Sequence, residues 1–227
     1  MFKNKPSAIL FDLDGTIADS ALDLSASLNY LLDVAGRDEI DPSLIRNMVG
    51  QGARALIVKG FTHTGETPND QEIDALLDQY LKYYLDNIAD KTVLFPGVLD
   101  LIKKLTAEKI PLAVCTNKNI VLTHALLEEM NINHYFSAVS CGDSFPFRKP
   151  DPRHLIATCE LMKAGTDNAI MVGDSINDIT PAKAANFLSV GVTFGYSKIP
   201  MSELGADIVI DHFDDFITAI NSFTPQT

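Results

Sequence analysis

Short apolar runs rich in β-branched residues alternate with helix-like runs through most of the chain. Polar turn residues follow each apolar run, as expected where buried strands of a sheet end. The strand-like runs lie at residues 8–11, 112–115, 138–140, 169–172 and 188–192, and the later helix-like runs lie at 98–105, 120–130, 154–162 and 181–185. This alternation is typical of βαβ units around a parallel sheet. The sequence therefore predicts an α/β fold with a Rossmann-like parallel sheet core.

The segment 19–90 has a different pattern, with three helix-like stretches and no convincing strand. Gly36 can end the first helix, and Asp41 followed by Pro42 can open the second. The third stretch has apolar residues at helical spacing, namely Ile73, Leu76, Leu77, Tyr80, Tyr84, Leu85 and Ile88. We therefore expect a small all-helical domain at 19–90, inserted after the first strand of a core formed by 1–18 and 91–227.

Charge and cysteine content exclude several classes of function. The 227-residue chain has a formal net charge of −12, and its lysines and arginines form no basic run. This argues against nucleic acid as the main partner. The apolar run before Asp12 is too short for a signal sequence or a membrane span. The three cysteines form no CxxC pair, which argues against a disulfide framework or a zinc site with thiolate ligands. We expect a cytoplasmic protein without a membrane partner.

Two aspartates, Asp12 and Asp14, directly follow the first strand-like run, in the sequence FDLDGT of residues 11–16. Ligands of an open parallel sheet bind at the carboxyl ends of its strands. Residues two apart leave a strand on the same side, and Gly15 permits the tight turn that keeps both carboxylates facing one pocket. The pair suits a nucleophile beside an acid, but two acids in a turn are more often solvated or capping residues.

Three further polar motifs also follow strand-like runs: VCTNK at 114–118, RKPDP at 148–152 and VGDSIND at 172–178. The first motif offers a hydroxyl and backbone N–H groups, and the third adds carboxylates. In the second motif the prolines fix the backbone next to Lys149 and so hold this lysine in place. Each alone could be a helix cap, an exposed lysine or an N-capping cluster. Their occurrence together, in this order, favours one functional site.

The four motifs together resemble the signature of the haloacid dehalogenase-like hydrolase superfamily. Within it, the stretches FDLDGTIADS, CTNK, GDSFPFRKPDP, VGDSINDI and SVGVTFGY look like those of bacterial phosphoglycolate phosphatases. The resemblance implies that Asp12 attacks phosphorus and that Asp14 acts first as acid and then as base. The dehalogenases of this superfamily lack an aspartate at the second place, which favours a phosphorylated substrate.

The resemblance also implies a cofactor and a phosphate site. Mg²⁺ would be held by the Asp12 carboxylate, the Asp14 backbone carbonyl and Asp174, with Asp178 in support through water or an outer contact. Phosphate would be held by three further residues, namely Thr116, Asn117 and Lys149. Lys149 would also orient Asp12, so it is counted among the catalytic residues.

The helical insert corresponds in position to the cap domain that closes over the site in many relatives. Two glycines interrupt its second helix in the sequence VGQGAR of residues 49–54. This predicts a backbone approach to the substrate, with Gln51 and Arg54 as candidate specificity residues. Arg54 could bind a substrate carboxylate, although a surface arginine is the more common finding.

By resemblance, the reaction we expect is hydrolysis of 2-phosphoglycolate to glycolate and phosphate. The expected partner is a small phosphorylated metabolite, and the expected oligomeric state is a monomer or a homodimer. Alternatives are a phosphatase for another sugar phosphate, a nucleotide or pyrophosphate, or a phosphosugar mutase. A non-catalytic binding protein on the same fold is disfavoured by the intact acidic and basic residues.

Overall fold

The computed structural model describes residues 1–224, and in these the chain forms two sheets. Six strands make one parallel sheet in the order β5-β4-β1-β6-β7-β8, and β2 pairs with β3 in an antiparallel ribbon. The strands are β1 (Ile9–Phe11), β2 (Ala18–Asp19), β3 (Val93–Leu94), β4 (Leu112–Cys115), β5 (Ala138–Ser140), β6 (Ile170–Gly173), β7 (Leu188–Val192) and β8 (Ile208–Ile210). The predicted α/β class is confirmed.

Helices cover both faces of the parallel sheet. They are α1 (Ala21–Val34), α2 (Pro42–Arg46), α3 (Ala53–Thr64), α4 (Asp70–Asp86), α5 (Val98–Ala107), α6 (Ile120–Glu129), α7 (Pro152–Leu161), α8 (Ile176–Ala184) and α9 (Phe216–Ser222). Ile102, Leu126 and Phe216, from α5, α6 and α9, share one buried core with the sheet. Leu155 of α7 and Ala182 of α8 belong to the core on the other face. This double layer buries β1, β4 and β6 completely, which explains their uninterrupted apolar sequences.

The register of the central strands brings three polar loops together. Phe11, the last residue of β1, is paired with Val114 of β4 and Val172 of β6. The chain therefore leaves all three strands at nearly the same level, with β1 in the middle. The motifs at 11–16, 114–118 and 172–178 meet at this edge because the strands are parallel and in register.

The insert contains four helices rather than the three expected from the sequence. The predicted second helix is divided into α2 and α3, and the loop between them holds Gly50 and Gly52 at φ of +106° and +87°. Residues with a side chain rarely adopt this left-handed backbone conformation. The two glycines therefore end the helix instead of merely weakening it. Helices α1 to α4 bury a core of their own, which includes Leu28, Ile57 and Tyr80.

The sequence-based expectation did not include β2, β3, β8 or α9, and it placed the start of one helix too late. Strands β2 and β3 have only two residues each, too few to show a pattern, whereas β8 is as long as the predicted β5 and its apolar run was a usable signal. Helix α8 begins at Ile176, five residues before the expected start. The Ser175 side chain accepts from a backbone N–H while the Asp178 side chain accepts from the Ser175 N–H, and this capping box starts the helix.

The insert leaves and rejoins the core through the β2–β3 ribbon. Asp23, buried in the first turn of α1, accepts hydrogen bonds from the backbone N–H groups of Lys91 and Thr92 and from the Thr92 hydroxyl. The two connections are therefore fastened to each other. The domain boundaries at 18/19 and 90/91 stay a prediction. Within residues 1–224, no helix combines the length and apolar character needed to cross a membrane.

We expect Asp23→Ala to lower the free energy of unfolding by about 2–3 kcal/mol, because it leaves the buried Thr92 groups without their charged acceptor. Urea denaturation of the variant measures this loss. Asp33→Ala, which removes an exposed aspartate from the same helix, is the matched control and should change stability little. Equal effects of the two substitutions would contradict the role of Asp23.

Candidate active site

Asp12 lies at the carboxyl end of β1, in the middle of the polar edge. Its backbone N–H donates to the Val172 carbonyl at 2.9 Å, which extends the β1–β6 pairing by one residue. The Leu13 N–H donates to Asp12 Oδ1 at 2.7 Å. The carboxylate is therefore fixed by the strand and by its own turn, and only 6% of the residue is exposed.

Lys149 joins two of the carboxylates. Its Nζ lies 3.0 Å from Asp12 Oδ1 and 2.7 Å from Asp178 Oδ1, and its side chain is buried. Burial by itself would lower the pKa of Lys149, but Asp12 and Asp178 outweigh it and raise the pKa above the ordinary lysine value. The ammonium therefore stays charged and opposes the negative charge at this edge.

Three buried carboxylates, those of Asp12, Asp174 and Asp178, each place an oxygen within 4.8 Å of the others. Burial raises the pKa of Asp12 to about 7, with Lys149 opposing the rise and Asp178 adding to it. Burial also raises the pKa of Asp174 well above its usual range, and Asp178 and Asp12 add to that rise. Such crowding of buried negative charge favours a bound cation.

The donors to these carboxylates differ. Both oxygens of Asp178 are engaged, one by Lys149 and the other by the Ser175 N–H and hydroxyl. Asp174 accepts the Tyr196 N–H at 2.6 Å through Oδ2, and its Oδ1 has only a 3.5 Å contact with Thr16. Asp12 and Asp174 are thus better placed than Asp178 to bind a metal directly. An all-oxygen set fits Mg²⁺, a hard cation that prefers such ligands.

Asp14 faces the same cavity but has separate partners. Its carboxylate accepts from the Ser20 hydroxyl and from Lys118 Nζ, at 3.0 and 3.2 Å for the two carboxylate oxygens. Gly15 makes the turn with φ of +85°, and a Cβ there would lie 2.5 Å from Asp174 Oδ2. The turn therefore needs glycine both for its backbone and for the space beside Asp174.

Thr116 and Asn117 follow β4 and line the cavity with Asp12 and Asp14. The Thr116 hydroxyl accepts the Lys118 N–H at 3.2 Å. The Asn117 amide donates to the carbonyls of Lys149 at 3.0 Å and Gly50 at 3.1 Å. The Asn117 side chain thus connects the loop after β4 and the loop of Lys149 with the insert, since Gly50 lies between α2 and α3.

Lys118 and Tyr84 take part in the site although sequence reasoning assigned them no role there. Lys118 Nζ donates to the Tyr84 hydroxyl at 2.7 Å and lies 4.3 Å from the centre of the Tyr84 ring. Lys118 stands in the CTNK motif, which was a usable signal. Tyr84 falls on the apolar stripe of α4, a pattern that indicates packing, and nothing in the sequence places that stripe over the site.

A cavity of about 40 Å³ lies between the insert and the sheet edge. Gly50 and Gly52 line it, whereas Gln51 lines an adjoining cleft with Asp174 and Tyr196. Arg54 is not among the residues lining either space. Its guanidinium bonds instead to Asp70 and Asp74 on the exposed side of α4.

Of the sequence-predicted site residues, Asp12, Asp14, Thr116, Asn117, Lys149, Asp174 and Asp178 meet at one edge of the sheet. Gln51 lies near this group, and Arg54 stands apart. The roles assigned to these residues stay predictions.

Comparisons with known proteins agree with this arrangement. A sequence model of the haloacid dehalogenase-like hydrolases matches residues 9–192. A phosphoglycolate phosphatase of Agrobacterium fabrum is 42% identical over 204 residues, 90% of this chain and 88% of its own. One from Caulobacter vibrioides is 39% identical over 209 residues, 92% of this chain and 88% of its own.

Solved structures give the same result. The crystal structure of a predicted phosphoglycolate phosphatase from Haemophilus somnus superposes with a TM-score of 0.90 at 30% identity, covering 95% of this chain and 98% of that one. The sequence matches and the superposition both span nearly the whole chain. The chain therefore belongs to the haloacid dehalogenase-like hydrolases and is an enzyme of the phosphoric monoester hydrolase class.

Proposed function

We propose that the protein is a magnesium-dependent phosphatase that hydrolyses 2-phosphoglycolate through a phosphorylated Asp12. The observation that carries the proposal is the position of Asp12. Its carboxylate bonds to the buried Lys149 ammonium, and Asp12 and Asp14 line the same small cavity. The phosphoglycolate phosphatases among its relatives support the choice of substrate.

In the first step the Asp12 carboxylate attacks phosphorus and the alkoxide of glycolate leaves. Asp14 protonates that oxygen, so that glycolate departs as an alcohol. In the second step Asp14 takes a proton from water, which attacks the aspartyl-phosphate and returns Asp12 and free phosphate. Ser20 and Lys118 hold the Asp14 carboxylate in one orientation for both steps.

The phosphate is stabilised by groups that the fold holds in place beforehand. Lys149 offsets negative charge beside Asp12, and the Thr116 hydroxyl and Asn117 N–H supply donors for the phosphate oxygens. Mg²⁺, held by Asp12, the Asp14 carbonyl and Asp174, would neutralise phosphate charge and favour in-line attack. Asp178 keeps Lys149 in position and supports the metal site from outside the ligand set.

Asp12→Asn should lower kcat for 2-phosphoglycolate to less than about one hundredth of the wild-type value, because an amide is a poor nucleophile of nearly the same shape. Phosphate release measures turnover, and circular dichroism checks that the fold is intact. Asp100→Asn, at an exposed position of α5, is the matched control and should retain full activity. A folded Asp12→Asn enzyme with substantial turnover would exclude Asp12 as nucleophile.

Chelation with EDTA should stop hydrolysis, and added Mg²⁺ should restore it. Ca²⁺ should restore it poorly, since its longer and more flexible coordination misplaces the nucleophile. Mg²⁺ should also raise the Tm of the wild-type protein but not that of Asp174→Ala, because the variant has lost a direct ligand. Full activity in metal-free buffer would contradict the proposed metal site. So would a rise in the Tm of Asp174→Ala with Mg²⁺ as large as that of the wild type.

The position of Arg54 favours a different outcome from the carboxylate recognition expected from the sequence. Since its guanidinium is already bonded to Asp70 and Asp74, Arg54→Ala should change kcat/KM by less than about threefold. The change should be the same for 2-phosphoglycolate and for p-nitrophenyl phosphate, which has no carboxylate. A loss of tenfold or more on 2-phosphoglycolate alone would restore Arg54 as a specificity residue.

A further inference from the structure

The cavity contains a buried hydroxyl that has no hydrogen-bond partner. It belongs to Tyr80 of α4, whose side chain is fully buried and lines the cavity, and no other described group bonds to it. Leaving a buried polar group unpaired costs about 1–3 kcal/mol. Phenylalanine would fill the same space without that cost, so the hydroxyl gives the folded protein alone no advantage.

The neighbouring tyrosine shows where this surface of α4 is directed. Tyr84 lies one helical turn further on, its ring meets that of Tyr80 at 5.9 Å between centroids, and its hydroxyl bonds to Lys118. Lys118 in turn bonds to Asp14. Tyr80 and Tyr84 thus form a wall of the cavity that faces Asp12 and Asp14. Of the two hydroxyls in this wall, that of Tyr80 has no hydrogen-bond partner.

The chemistry of the wall limits what can lie against it. Among the described residues of the insert that line the cavity, only Tyr80 and Tyr84 have polar side chains, and the others are apolar or glycine. Burial, together with Tyr84 and Asp14, raises the pKa of Tyr80 well above its usual range, so the hydroxyl stays protonated and can donate. Lys118 adds a second donor from the core.

The other unpartnered atom of the cavity, Asn117 Oδ1, is an acceptor on the core side. Because the Asn117 amide nitrogen donates to two carbonyls, this oxygen stays directed away from them and can accept from water or from a hydroxyl. The cavity therefore offers unpartnered polar atoms both from the insert and from the core.

We propose that the Tyr80 hydroxyl donates a hydrogen bond to the carboxylate of a small acid phosphate and so selects this substrate class over neutral alkyl phosphates. The inference rests on the proposed function, because the phosphate must lie beside Asp12 for the other end of the substrate to reach the wall. Leu24, Leu56 and Leu122 line the same space and leave little polar surface for a polyhydroxylated sugar. The fixed phenol hydroxyl recognises a charged acceptor and gains its missing partner when the substrate binds.

The test compares two substrates of nearly the same shape. Ethyl phosphate has a methyl group where 2-phosphoglycolate has its carboxylate. Tyr80→Phe should lower kcat/KM for 2-phosphoglycolate about ten- to hundredfold, the size expected for a hydrogen bond to a charged group. It should leave kcat/KM for ethyl phosphate unchanged. The Tm without substrate should be equal to or above that of the wild type, since an unpaired buried hydroxyl has been removed.

Tyr83→Phe is the matched control, because Tyr83 lies on the same helix but stacks on Tyr30 at 4.2 Å between ring centroids, away from the cavity. It should leave both substrates unaffected. Equal losses on both substrates in Tyr80→Phe, or no loss on either, would overturn the inference. The wild-type enzyme is measured first. A kcat/KM for ethyl phosphate equal to or above that for 2-phosphoglycolate would refute the proposed substrate, independently of any variant.

Discussion

The contact of one buried ammonium group with two carboxylates organises this site. Lys149 lies between Asp12 and Asp178 with almost no exposure to solvent. Removing either kind of partner from such a pair leaves an uncompensated buried charge, which costs about 3–5 kcal/mol. The loop that carries Lys149, the end of β1 and the start of α8 are therefore held in one arrangement. Asp12 and Asp178 acquire their positions relative to one another through that arrangement, whereas Lys118 fixes Asp14 and the Tyr196 N–H fixes Asp174.

The same contact explains how an acidic protein can bind an anion. The formal net charge of −12 repels phosphate at a distance, and three carboxylates crowd the place where it would bind. The opposing charge is therefore concentrated in a few buried groups, Lys149 and Lys118, and in the cation that Asp12 and Asp174 are suited to hold. Buried charges act through a lower dielectric than charges at the surface, so few are needed.

The insert contributes to the site by short polar contacts rather than by an extended interface of charges. Gly50 accepts from Asn117 and Asn177, which follow different strands of the core, and Tyr84 accepts from Lys118. These contacts hold the insert against the catalytic loops and enclose the cavity. Tyr80 and Tyr84 of α4 therefore face the cavity from the insert, while Asp12 and Asp14 face it from the sheet edge.

The sequence by itself determined most of the parallel sheet and most of the cluster of polar residues at its edge. Strand runs buried on both faces are recognisable because they are apolar throughout, and the polar motifs that follow them had to meet once the strands were parallel. Local patterns also placed the insert and its glycine break. They were less informative where an element was very short, as in β2 and β3, or where a cap outweighed the turn residues, as at Ser175.

Only the tertiary structure decided which side chains of the insert face the site. Arg54 and Tyr80 carry opposite signals in the sequence, since an arginine beside glycines indicates binding and a tyrosine on an apolar stripe indicates packing. In the fold, Arg54 is neutralised by Asp70 and Asp74 on the outside of α4, and Tyr80 presents an unpaired hydroxyl to the cavity. Helical periodicity separates a buried face from an exposed one, but it contains no information about what the buried face packs against. That depends on long-range contacts between the insert and the sheet edge, which form only when the whole chain has folded.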